Sequence, residues 1–70
     1  MSYFVKWIPE NGTEIRQTGV AYSRPAEAMD FACVILGQTP RVIWIEDGRG
    51  VRIALGSQIT QHCRFRGLAN

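Results

Sequence analysis

Three side chains in this sequence have the chemistry of a nucleophile, a base or a metal ligand: Cys33, His62 and Cys63. Consecutive residues project in different directions on a helix or a strand, so the adjacent His62 and Cys63 do not predict a hydrogen-bonded base and nucleophile. The three also lack the Cys-x-x-Cys or His-x-x-x-His spacing and the fourth ligand of a structural zinc site. We expect a non-enzymatic protein with no catalytic residue, metal or cofactor. His62 is interpreted as a solvated residue, and both cysteines as reduced thiols.

The segment Glu46-Asp47-Gly48-Arg49-Gly50 combines two carboxylates with two glycines. It lacks the calcium-loop pattern, the lysine of a nucleotide-binding loop and the Gly-x-Gly-x-x-Gly spacing. We therefore interpret it as the charged tip of a hairpin.

The composition is typical of one small globular domain. The chain has 70 residues, of which 46% are hydrophobic, and a net charge of +2. A chain this short buries only about 60% of the surface that its unfolded form exposes, so it often depends on a disulfide, a metal or a partner subunit. No basic and apolar leader opens the sequence, and the apolar run Phe31 to Leu36 is far too short to span a membrane. We expect a cytoplasmic protein without membrane contact, which also fits free thiols.

A first hairpin is predicted near the start of the chain. Tyr3 to Ile8 is rich in aromatic and β-branched residues, as strands are. Asn11-Gly12 is a strong turn signal, so Glu14 to Tyr22 is predicted to return as an antiparallel strand, with a bulge or a close backbone approach at Gly19.

One helix is predicted to open at Ser23-Arg24-Pro25, with Ser23 as its cap, and to run to about Leu36. Gly37 is expected to end it in the left-handed conformation. Its apolar residues cover more than one face, so it is predicted to touch more than one surface, with Phe31 as a core anchor.

The second half of the chain predicts another hairpin. Arg41 to Glu46 is an almost continuous apolar strand. Val51, Ile53 and Leu55 then alternate with polar or small residues, so these three are predicted to face the helix. The segment 57–66 is ambiguous; Ile59 and Cys63 have helical spacing, and Ser57 could cap a short helix.

The element order β-β-α-β-β predicts an α+β fold, a four-stranded antiparallel sheet with one main helix packed on one face and a possible short C-terminal helix. The chain is predicted to be a single domain over residues 1–70. Its core spans about 3–56, 57–66 is the ambiguous segment, and 67–70 is a frayed tail.

This layout resembles small uncharacterised bacterial domains of the strand-strand-helix-strand-strand kind. The resemblance lies in Ser23-Arg24-Pro25-Ala26-Glu27-Ala28 at the helix start and in Ile43-Trp44-Ile45-Glu46-Asp47-Gly48-Arg49 at the second hairpin. It spans about Tyr3 to Leu55 and implies no activity.

One helix on a four-stranded sheet leaves the second sheet face open, with Trp44 and Phe4 on it, and a monomer rarely leaves so large an apolar patch bare. The first possible cover is a second copy in a homodimer, through Phe4 and Trp44 or through Met29 and Leu36 on the helix. The second is the segment Ser57 to Phe65 of the same chain.

Two further partners are possible for this face. One is single-stranded nucleic acid, stacked on the aromatic rings and held by basic side chains, for which the candidates are Lys6, Arg52, Arg64 and Arg66. The other is an unidentified protein. We expect a small interaction module that self-associates; a nucleic-acid-binding module is the alternative, and an enzyme with a pocket at a dimer seam is the third hypothesis.

Overall fold

The computed structural model of the protein describes residues 2–67, which form six elements. These are β1 (Tyr3–Ile8), β2 (Arg16–Gln17), α1 (Pro25–Leu36), β3 (Val42–Asp47), β4 (Arg52–Leu55) and α2 (Gly56–Arg66). The strands make one antiparallel sheet in the order β2-β1-β3-β4. The predicted α+β fold with a four-stranded antiparallel sheet is confirmed, and the ambiguous segment 57–66 is helical. The predicted frayed tail lies, apart from Gly67, outside the described residues.

The centre of the sheet is the pair β1 and β3, which are matched along their whole length from Tyr3 opposite Asp47 to Ile8 opposite Val42. The alternation of side chains then gives the sheet two different faces. Val5 and Ile45 are partners, are fully buried, and lie on the face that the helices cover. Because Lys6 and Trp44 come next in the same register, they lie together on the opposite, helix-free face.

β2 is much shorter than the strand predicted over Glu14 to Tyr22, because a threonine side chain interrupts the pairing. The backbone N–H of Val5 donates to Thr18 Oγ1 at 3.4 Å, and that hydroxyl donates to the carbonyl of Val20 at 3.2 Å. A local side-chain bond thus replaces a ladder bond. Beyond Thr18, the segment pairs with β1 only through an isolated antiparallel bridge between Tyr3 and Tyr22. At Gly19 no atom lies near the position of a Cβ, so the predicted close approach is wrong.

Both predicted caps of α1 need correction, although Pro25 occupies the first turn as expected. Arg24 is the N-cap residue, and the Ser23 hydroxyl donates to Glu27 Oε1 at 3.4 Å instead of accepting from a helix amide. Gly37 keeps a right-handed φ of −64° because its N–H still bonds to a carbonyl of the last turn. The first residue after α1 with a positive φ is Thr39, at 51°. The helical turns therefore run on for two residues beyond the predicted stop.

α1 and α2 pack side by side on the same face of the sheet. The core between the helices and this face consists of buried small and branched residues from both layers: Val5, Ala28, Ala32, Cys33, Ile35, Ile43, Ile45, Ala54, Ile59 and Cys63. Phe31, the predicted anchor, is only partly buried at the border of this core, where its ring centroid lies 6.0 Å from that of Tyr22. The core is thus built from small residues of α1 that let the helix approach the sheet closely.

The predicted face of β4 is wrong. Val51 and Leu55 are about half exposed and Ile53 is 36% exposed, whereas Ala54 is buried opposite Ile45. The cause is the pairing register, because Ala54 is opposite the buried Ile45 whereas Leu55 is opposite Trp44 on the helix-free face. A register shift after this pair then places Arg52 opposite Glu46, on the helix-free face as well.

The two cysteines are joined. Cys33 of α1 and Cys63 of α2 form a disulfide with their Cα atoms 5.8 Å apart, so the prediction of two reduced thiols is wrong. Both residues belong to the core, at 6% and 0% exposure. The sequence separates them by 30 residues, and only the packing of α2 beside α1 brings them together.

Within residues 2–67, neither helix has the length and apolar character needed to cross a membrane.

Candidate interaction surface

A polar cluster is built on the helix-free face of the sheet, around the carboxylate of Glu46. Lys6 Nζ lies 2.9 Å from Glu46 Oε1, and the indole N–H of Trp44 donates to Glu46 Oε2 at 2.7 Å. The guanidinium carbon of Arg52 lies 4.3 Å from the centroid of the Trp44 ring, which is a cation–π contact. The antiparallel register of β1, β3 and β4 positions all four residues, since Lys6 is opposite Trp44 and Glu46 is opposite Arg52.

The hydrogen bond from Trp44 lowers the pKa of Glu46 below its ordinary value of 4.5, with further lowering from Lys6 and, more weakly, from the charge of Arg52. Burial opposes this effect, because the side chain of Glu46 is only 13% exposed. The carboxylate is therefore ionised at neutral pH and holds the side chains of Lys6 and Trp44 in place.

Trp44, a candidate interface residue, is already covered within the chain. It is 2% exposed, with the guanidinium of Arg52 over its ring. The alternative that Ser57 to Phe65 covers this face is wrong, because Ile59 and Cys63 of α2 are buried in the core on the opposite face. Phe65, the third residue expected to cover the sheet, is 89% exposed.

The other candidate interface residues lie on both layers. Phe4 is half-buried and flanks the polar cluster on the helix-free face. Met29 and Leu36 are partly buried and pack against the core, so much of their apolar surface is used inside the chain. Val34 is the apolar residue of α1 that points to solvent, at 61% exposure. Contact of Phe4, Met29, Leu36 or Trp44 with a second copy stays a prediction.

The structure does not bring the four candidate nucleic-acid contacts together. Lys6 and Arg52 lie on the helix-free face, where both are engaged by the polar cluster. Arg64 and Arg66 belong to α2, which packs on the other face, and Arg66 Nη2 lies 3.9 Å from Asp30 Oδ2. A single strand stacked on the open face would meet only two of the four.

The sequence predicted a solvated His62, but the structure gives this side chain a partner. His62 Nε2 lies 2.8 Å from Asp30 Oδ1, across the seam between α2 and α1. The neighbouring thiol is committed to the disulfide with Cys33. Sequence reasoning missed this pair because Asp30 and His62 lie in different helices, and the four-residue spacing of Ile59 and Cys63 was the one available signal that α2 docks. The residues from 2 to 67 contain no cluster of three or more acidic, histidine or cysteine side chains that could hold a metal.

A shallow open depression of about 430 Å³ lies beside the first hairpin. Its walls are formed by the turn and the start of β2: Pro9, Asn11, Gly12, Thr13, Glu14 and Arg16. The charged side chains in it are one carboxylate and one guanidinium, which does not make a paired acid and base.

The largest concentration of exposed apolar side chains lies at the β4 edge of the sheet. Val51, Ile53 and Leu55 are 54%, 36% and 51% exposed. Val42, on the neighbouring strand, is 41% exposed. Sequence reasoning found the alternation of Val51, Ile53 and Leu55 but placed these three in the core, because alternation gives the spacing of a face and not its direction.

Comparison of the chain with models of protein families, with curated proteins and with solved structures gave no match. The resemblance to small bacterial domains of the same element order stays a prediction.

Proposed function

We propose that this protein is a small, non-enzymatic interaction module that self-associates through its sheet as a homodimer. The observation that supports this most is the uneven distribution of exposed apolar surface. Both helices and the disulfide lie on one side of the sheet, while Val51, Ile53 and Leu55 remain exposed within five residues at one edge. A monomer of this size seldom leaves such residues clustered in water.

Single-stranded nucleic acid is the weaker alternative. Its binding would require free cations beside exposed aromatic rings. Trp44 is covered and Lys6 is paired with Glu46, so the helix-free face offers neither in the required combination.

The disulfide bears on where the protein acts. Structural disulfides form and persist in oxidising compartments and are rare in the cytosol. A cytoplasmic location fits Cys33 and Cys63 being reduced there, whereas the bonded form of the structure fits an oxidising compartment. Alkylation of the protein in intact cells, followed by mass measurement, separates the two cases.

Sedimentation equilibrium of the oxidised protein tests the proposed function. We expect the average mass to rise from that of one chain at low micromolar concentration to that of two chains at millimolar concentration. A mass of one chain over the whole range contradicts self-association. Quenching of tryptophan fluorescence by a single-stranded oligonucleotide at low salt would favour the nucleic-acid alternative instead.

A further inference from the structure

We infer that the homodimer forms by antiparallel pairing of β4 with β4 of a second copy, which joins two four-stranded sheets into one of eight strands. This rests on the proposed self-association and specifies its surface. Among residues 2–67, β4 pairs with β3 on one side and with no strand on the other. An edge strand presents backbone donors and acceptors, and the partner that satisfies them is another strand.

The two edges of the sheet differ in how they are protected. At one edge, β2 has only two paired residues, the polar Arg16 and Gln17, and Thr18 interrupts the pairing beyond them. Short, charged and irregular edges discourage pairing with another chain. The β4 edge carries Val51, Ile53 and Leu55 exposed within five residues, whereas the exposed Ile15 and Val20 lie outside the two paired residues of β2.

The one charged residue of β4 is directed away from the outer edge. The guanidinium of Arg52 lies over the ring of Trp44, which belongs to β3. A charged side chain that projects from an edge strand normally opposes pairing with a further strand. In this protein the charge instead lies over the interior of the sheet, where the carboxylate of Glu46 lowers its electrostatic cost.

A second copy fits this edge because antiparallel pairing of identical strands is self-complementary about a twofold axis. Pairing is limited to residues 52–54, since the N–H of Val51 already donates to Asp47 Oδ1 at 3.0 Å and that of Leu55 to Gln58 Oε1 at 2.8 Å. The axis is perpendicular to the sheet, so the helices of both copies lie on the same side. No charged group has to lose its own partner, because Arg52 keeps its contact with Trp44.

Lysine substitutions at exposed edge positions test this pairing. We expect Ile53→Lys to weaken association about tenfold or more in sedimentation equilibrium, because its two copies would meet across the axis. Val51→Lys should also weaken association about tenfold or more, because it adds a charged side chain beside the paired edge. Val34→Lys is the matched control, since it places the same charge at an exposed valine of α1, away from the edge. It should leave association unchanged, and circular dichroism should show that all three variants fold.

Cysteine cross-linking gives a second readout that does not depend on added charge. Among the described residues both native cysteines are in the disulfide, so Ile53→Cys adds a single free thiol near the axis. Mild oxidation should give a covalent dimer from Ile53→Cys and none from Val34→Cys.

Three results would overturn the inference. If wild type dimerises but the edge lysines leave association unchanged and Ile53→Cys does not cross-link, β4 pairing is wrong while self-association stands. If wild type is monomeric at millimolar concentration, both proposals fail. If the monomer instead binds an extended peptide of another protein at this edge, the occupant is not a second copy.

Discussion

Glu46 is the residue that organises the helix-free face. Its carboxylate accepts the indole N–H of Trp44 and pairs with Lys6, and Trp44 in turn supports the guanidinium of Arg52. The polar side chains of this cluster thereby shield the Trp44 ring from water on the helix-free face. This explains why Trp44 is buried without any element packed over it.

The pH dependence of stability should report the ionisation of Glu46. Since folding lowers the pKa of this carboxyl below 4.5, the ionised form stabilises the fold above that pH, and the contribution is lost as the pH falls through the lower, folded-state pKa. We expect Glu46→Gln to be less stable than wild type at neutral pH and the difference to shrink in acid. Urea unfolding from pH 7 to below 4.5 measures it.

Glu14→Gln is the control for this comparison, because Glu14 is an exposed carboxylate away from the cluster. It should follow the wild-type profile. A Glu46→Gln curve parallel to wild type at every pH would show that the cluster does not stabilise the ionised carboxylate.

For the residues of the polar cluster and the adjoining turn, the sequence predicted the type of local structure but not the side-chain contacts. The sequence identifies the Glu46 to Gly50 segment as a charged hairpin tip, and Asp47 does close that turn by accepting the N–H groups of Arg49 and Val51. The bond from Trp44 to Glu46 joins residues two apart on one strand face. That spacing allows the contact, but alternation alone does not say that the indole nitrogen points along the strand.

The docking of α2 on α1 fixes the helical layer. The disulfide, the bond between Asp30 and His62, and the burial of Ile59 all lie along this seam. Strand and helix positions follow from local patterns, and most of them were predictable. α2 begins directly after β4, at Gly56, where a Cβ would lie 3.5 Å from the carbonyl oxygen of Ile43. The side of the sheet that α2 covers is therefore set by a tertiary contact that no local pattern encodes.

Removal of the disulfide should destabilise the fold strongly. A bond between residues 30 apart restricts the unfolded chain by an amount worth about 3–4 kcal/mol, which is a large part of the stability of so small a domain. We expect Cys33→Ala with Cys63→Ala to unfold at much lower urea concentration than wild type. Wild type in excess reductant is the control, since it breaks the disulfide but keeps both sulfur atoms in the core. A decrease in the free energy of unfolding below about 1 kcal/mol would contradict a stabilising disulfide.

At the scale of the whole molecule, the proposed association would be linked to stability, because only one helical layer covers the sheet. Paired β4 edges would give each chain additional backbone bonds and remove exposed Val51 and Ile53 from water. Binding to the folded state alone raises the apparent stability. Composition and length predicted the need for a stabilising device, but the sequence pattern placed these apolar residues in the core and therefore hid the edge.

The midpoint of thermal unfolding should consequently rise with protein concentration. We expect this in scanning calorimetry of oxidised wild type, because the folded dimer is favoured by mass action. Val51→Lys should have a lower midpoint that is independent of concentration, and Val34→Lys should behave as wild type. A wild-type midpoint that stays constant between micromolar and millimolar protein would contradict linked folding and dimerisation.

The bond between the helices also turns part of the chain into a closed covalent ring that contains β3, β4 and the exposed turn at Arg49. A protease that cuts after Arg49 would open this ring without dividing the molecule, since the sulfur bridge still joins the two pieces and β1 still pairs with β3. Nicked protein should gain only the mass of one water and separate into fragments when reductant and denaturant are combined. The turn is therefore a place where new chain ends, or an inserted sequence, can be accepted while the molecule stays in one piece.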